Sequence, residues 1–140
     1  MRKRGFTLIE LLIVIGIIAI LAAIVIIAIN PGRQLAQSRN SQRWSNVNTI
    51  LNAIHQYAVD NQGTLPGAIT VVCPATQSIG TDNADLTSLT PSYLTAIPTD
   101  PSGGTAGDTG YTVCKTAENR VTVAVDPNHV ELGASIGVTR

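Results

Sequence analysis

FTLIELLIVIGIIAILAAIVIIAI, residues 6–29, decides the architecture of this chain. Its only departures from hydrocarbon side chains are Thr7, Glu10 and the bare Gly16. As a helix, about 24 residues extend roughly 36 Å, enough to cross a hydrocarbon core of about 30 Å. Lipid offers the backbone no partner, so such a segment must satisfy itself internally, as a helix. Glu10 is its one charged side chain. A carboxylate at the bilayer centre costs about 3 kcal/mol on insertion scales. Glu10 lies about one turn inside the segment, so two readings stand open: it snorkels to the interface, or it has a function there. Gly16 is either a place of close helix–helix contact or a weak point in the helix.

The flank narrows the choice. Arg2-Lys3-Arg4-Gly5 followed by Phe6-Thr7-Leu8-Ile9-Glu10 resembles the processing site of prepilin-like proteins, the type IV pilin and pseudopilin family. The likeness runs on through Leu11–Ile15 to Ile24. It implies cleavage between Gly5 and Phe6 by a membrane prepilin peptidase, N-methylation of Phe6, and an assembly role for Glu10. Residues 1–5 are then a leader and residues 6–29 a transmembrane and assembly helix. An ordinary secretory signal fits worse, because its cleavage site follows a shorter apolar core of about 7–15 residues. A physical reason for the glutamate is available: cleavage leaves an amine near the membrane, and a carboxylate one turn along a neighbouring helix can pair with it.

The chain has 140 residues, room for one modest domain beside the apolar helix. Hydrophobic content of 44% is inflated by that helix. The rest has only Trp44, Tyr57, Tyr93 and Tyr111 as aromatics, so its core is small and aliphatic. The formal charge is +0 but unevenly placed: Arg33, Arg39 and Arg43 follow the span, and every acid except Glu10 lies from Asp60 onward. An acidic domain argues against a direct nucleic-acid site. Basic residues flank both sides of the span, leaving orientation open by charge. The resemblance puts the leader in the cytoplasm and the C-terminus outside, single-pass in the inner membrane. Two cysteines in an exported domain, Cys73 and Cys114, then suggest one disulfide.

Asn30-Pro31-Gly32 interrupts the helical run, because Pro31 lacks the N–H that would bond back to Ile27. Either one long helix kinks here, or Asn30 caps a second helix with Pro31 in its first turn. The kinked single helix, continuing through residues 30–63, is the expectation. Arg33–Arg43 is polar nearly all round, a solvated face or a surface whose arginines meet the acidic domain of a neighbour. From Trp44 a stripe of Trp44, Val47, Leu51, Ile54 and Ala58, widened by Ile50 and Tyr57, predicts an amphipathic helix laid on a core. Asp60-Asn61-Gln62-Gly63 ends it.

Residues 64–140 read as a β-rich domain. Ile69–Cys73, Tyr111–Thr116 and Arg120–Val125 predict strands, with Ala117-Glu118-Asn119 turning the last two into a hairpin. Val130–Leu132 suggests a short edge strand. The connection from Ile79 to Gly110 predicts a short helix or turn. Within it, Tyr93–Pro101 resembles a segment of pilins and major pseudopilins. Ser102–Asp108 reads as a loop with no hydrophobic pattern to hold it. Alternation sets Cys114 with Thr112 and Thr116, opposite Val113, so the bridge is expected on the outer face of the sheet.

No catalytic constellation, phosphate loop, dinucleotide fingerprint or Cys-x-x-Cys is present. His55 and His129 lack metal-ligand spacing and read as structural or solvated. Asp100 and Asp108 flank a glycine loop. Major pseudopilins hold calcium in a comparable region, but turn chemistry accounts for these two aspartates more simply. No cofactor and no metal are expected.

The fold expected is α+β: a long N-terminal helix whose distal half packs on a small antiparallel sheet. The function expected is structural, not enzymatic: a type IV pilus subunit that polymerises with identical subunits. Its partners are prepilin peptidase, the inner-membrane assembly machinery and, before assembly, lipid. A pseudopilin of a type II secretion system is the alternative, and a monomeric membrane-anchored binding module a third reading.

Overall fold

A computed structural model describes residues 5–140; Arg2, Lys3 and Arg4, the charged part of the expected leader, lie outside the described residues. The chain divides into two compact units, Met1–Leu35 and Ala36–Arg140. Helix α1 spans Leu8–Ile29 and buries none of its residues. It ends at Asn30, which adopts the left-handed conformation (φ 48°, ψ 78°). Helix α2 follows at once, Pro31–Asp60. The Asn30 side-chain oxygen accepts the Arg33 amide at 3.3 Å, capping the new helix. Pro31 takes the first helical position, where its missing N–H costs nothing. The expected single kinked helix is therefore corrected to two helices. A left-handed residue cannot continue an α-helix, and Asn is one of the few that tolerates it.

In the second unit α2 lies on a four-stranded antiparallel sheet of order β1-β2-β3-β4. The strands are Gln77–Ser78, Tyr111–Lys115, Val121–Val125 and Gly137–Thr139. The β2–β3 hairpin sits where alternation predicts it, closed by Asn119 at φ 60°. A single 3-10 turn, Thr87–Leu89, interrupts the long connection. Two strand expectations are corrected. Ile69–Cys73 contributes only a bridge between Val72 and Lys115. The two-residue β1 takes the ladder position beside β2, with Gln77 opposite Val113. Val130–Leu132 is not a strand either, since Leu132 turns at φ 58° and Gly133 at φ 66°; the edge strand is Gly137–Thr139.

The core joins Val47, Ile50, Leu51 and Ile54 of α2 to Tyr111, Val113, Val121, Val123 and Val125, closed by Ile69, Ile79, Leu86, Leu89 and Ile136. This largely aliphatic cluster matches the composition, and Val47, Ile50, Leu51 and Ile54 of the expected stripe are buried with Tyr57 packed beside them; the stripe fails at its first residue. Trp44 is 43% exposed, and the buried position beside it belongs to Arg43. Cys73 and Cys114 form a disulfide closing a separation of 41 residues. Cys114 lies opposite Thr122, on the face turned away from Val113.

Candidate functional site

At the N-terminus, Gly5 and Phe6 are exposed, Phe6 by 87%. The helix starts at Leu8 because Thr7 caps it. The Thr7 hydroxyl accepts the Glu10 amide at 3.3 Å, while the Glu10 carboxylate accepts the Thr7 amide at 2.8 Å and the Thr7 hydroxyl at 2.6 Å. This is a reciprocal capping box. It supplies Glu10 with a role within its own chain, beyond snorkelling and pairing. The Thr-x-x-Glu spacing before an apolar run announces it. The carboxylate that the resemblance reserves for assembly is thus held at the start of α1, with Phe6 and its amide immediately before the cap. Gly16 is exposed, and a Cβ there would meet open space.

The second cluster was not visible in the pattern of residues. Arg43 is fully buried, and each of its five N–H groups has an oxygen to meet. Its Nε donates to Asp100 Oδ2 at 2.6 Å and its Nη2 to Asp100 Oδ1 at 3.1 Å and Ser102 Oγ at 2.8 Å. Its Nη1 donates to Asn40 Oδ1 and Glu131 Oε2, both at 2.8 Å. Arg39 makes a two-pronged pair with the same Glu131. Asn40 Nδ2 donates to the Glu131 carbonyl at 2.8 Å. His129 brings Nδ1 to 3.4 Å from Asp100 Oδ1. Thus Arg39 and Arg43, expected on a solvated or intersubunit face, are occupied within their own domain; the Arg33 guanidinium makes no hydrogen bond or ion pair among the described residues.

The electrostatics follow from these contacts. Burial raises Asp100, but the Arg43 guanidinium and the Ser102 hydroxyl and amide outweigh it and hold the carboxyl well below the usual range. Hydrogen bonds from Arg39 and then Arg43 lower Glu131 to about 2. Arg43 is raised, chiefly by Asp100, against its own desolvation. Arrangements of this kind lock loops to a helix; nothing in them resembles a nucleophile with its base. Asp108 accepts the Gly110 amide at 3.1 Å, as a turn residue does. Among the described residues no group of three His, Cys, Asp or Glu is placed to hold a metal ion.

Helix α1 is long and apolar enough to cross a membrane. No curated protein and no solved structure matched the chain. A family model did match at residues 1–29, that of the prokaryotic N-terminal methylation motif. It covers Gly5, Phe6, Thr7, Glu10 and all of α1, and it implies prepilin peptidase processing with pilus or secretion assembly. Together with its apolar helix, the chain fits a membrane-anchored precursor. It carries the N-terminal methylation motif that characterises type IV pilins and pseudopilins.

Proposed function

We propose that this protein is a structural subunit of a type IV pilus, inserted in the inner membrane with its C-terminal domain outside. Cleavage between Gly5 and Phe6, N-methylation of Phe6 and polymerisation with identical subunits follow insertion. The observation that carries the reading is the methylation motif seated on a helix with no buried residue. Such a helix needs lipid before assembly and neighbouring helices after it. Glu10 then exchanges its capping bonds for the Phe6 amine of an adjacent subunit, a change from local cap to intersubunit ion pair. The Cys73–Cys114 disulfide supports an oxidising location for the domain.

A pseudopilin of a type II secretion system shares the motif and the helix; the disulfide favours the pilus reading. Mass spectrometry of the mature N-terminus tests processing: a methylated chain beginning at Phe6 is expected, and an intact Met1 would leave a monomeric anchor as the better account. Long surface fibres labelled by antibody to this chain separate pilus from secretion pseudopilus.

A further inference from the structure

We propose that residues 126–140 form a strap that opens from the domain as a unit of its own, with Glu131 as its latch. This inference stands apart from the filament reading, since it concerns only the second unit. Three observations carry it.

The first is how the strap is attached. Glu131 is gripped three times from α2: by Arg39, by Arg43 Nη1, and through its carbonyl by Asn40. Further on, Ile136 is buried in the core, and Val130, Ala134 and Val138 pack against it partly buried. The three-residue β4 then joins β3, with Thr122, Val123 and Ala124 opposite Thr139, Val138 and Gly137. Arg140 reaches Asn52 Oδ1 at 3.0 Å. A segment with one buried apolar side chain, a three-residue edge strand and a cluster of charge-assisted bonds is held more weakly than the core strands once the charged anchor is removed.

The second is strain beside the latch. Leu132, the residue after Glu131, sits at φ 58° with its side chain 56% exposed. The left-handed region is unfavourable for leucine, and this side chain recovers little by burial. Three anchors on the preceding residue hold the turn in place. The third is the floor beneath the strap. An open concavity of about 620 Å³ lies between part of the strap and the sheet, lined by Pro127, Val130 and Ala134 of the strap and by Thr112, Thr122 and Ala124 of β2 and β3. Packing across that gap is incomplete. Opening bares the backbone of β3 at Thr122–Ala124, an edge able to accept an added strand.

Hydrogen exchange of the full-length chain in detergent, read by mass spectrometry, tests this. Glu131→Ala should speed exchange across residues 137–140 by about tenfold or more, since bonds to charged groups are lost. Exchange of Tyr111–Lys115 should stay unchanged, because β2 belongs to the core. Leu132→Asn should slow strap exchange, alone and in the Glu131→Ala background, because asparagine tolerates this φ. Equal acceleration of strap and β2, no acceleration of either, or a Leu132→Asn that fails to slow the strap would each overturn the proposal.

Discussion

The two helices of this chain each depart from the ordinary rule of burial, α1 along its whole length and α2 at Arg43. Helix α1 is nearly pure hydrocarbon, and none of it is buried. Helix α2 is polar along much of its length, yet it carries Arg43 to full burial in the domain. The difference shows that burial follows the available partners. No residue of α1 is buried among the described residues; its composition suits lipid and, on the proposed function, copies of itself. Arg43 finds two carboxylates, a hydroxyl and an amide oxygen within the same domain, which offset the cost of removing a guanidinium from water.

The first way to break this comparison gives the largest effect. Glu10→Leu makes α1 wholly apolar, so insertion should improve by up to about 3 kcal/mol. Cleavage should proceed, but few or no filaments should form, because each subunit's amine loses its counter-charge. Sheared filaments blotted against membrane precursor measure the loss; a wild-type yield would leave Glu10 as a cap alone.

Next comes the buried cation. Arg43→Ala strands the Asp100 carboxylate in the interior, and breaking a buried pair costs about 3–5 kcal/mol. Denaturant unfolding of the full chain in detergent should show that loss, while Arg39→Ala, at the half-exposed end of the network, should show much less. Equal effects from the two would mean that burial does not distinguish them.

The disulfide ranks just below. Replacing Cys73 and Cys114 with serine together should cost about 2–4 kcal/mol. The same unfolding curve measures it, and an unshifted midpoint would show that the segment around Cys73 is fixed without the bridge.

Acid sharpens the picture with a smaller effect. Asp100 and Glu131 both have carboxyls lowered by folding. Their contribution is therefore complete above the ordinary carboxylate range near pH 4 and lost as pH falls through the folded values. For Glu131 that window runs from about 4.3 in the unfolded chain to about 2. Stability measured across it should fall with acid, and Glu131→Gln should flatten the slope. The smallest effect belongs to the cap: Thr7→Ala should speed amide exchange at Glu10 and Leu11 several-fold and leave the second unit untouched.

Much of the structure was legible in local sequence. The length and purity of residues 6–29 dictate a helix in any apolar medium, and Thr7 with Glu10 encodes its first turn. The hairpin from Tyr111 to Val125 follows from β-branched alternation around one turn. The two cysteines imply a bridge once the chain is placed outside the membrane. Even the break at Asn30-Pro31-Gly32 was visible, although whether it bends or ends the helix depended on the φ of one residue.

Tertiary structure alone decided the rest. Helical periodicity favours Trp44 as the inward residue, but Arg43 has the better-matched partners, and those come from loops 57 and 88 positions away. The glycine loop after Asp100 has no apolar pattern because backbone approach holds it. A Cβ on Gly104 would lie 2.4 Å from the Asp100 nitrogen, and one on Gly80 would lie 2.1 Å from the Gly107 oxygen. Strands β1 and β4 have two and three residues, too few for alternation to register, and they pair because β2 and β3 already present their edges. Periodicity reports which side chains prefer to leave water. Which charged group may leave with them depends on acceptors distant in sequence, and only the folded chain brings those together.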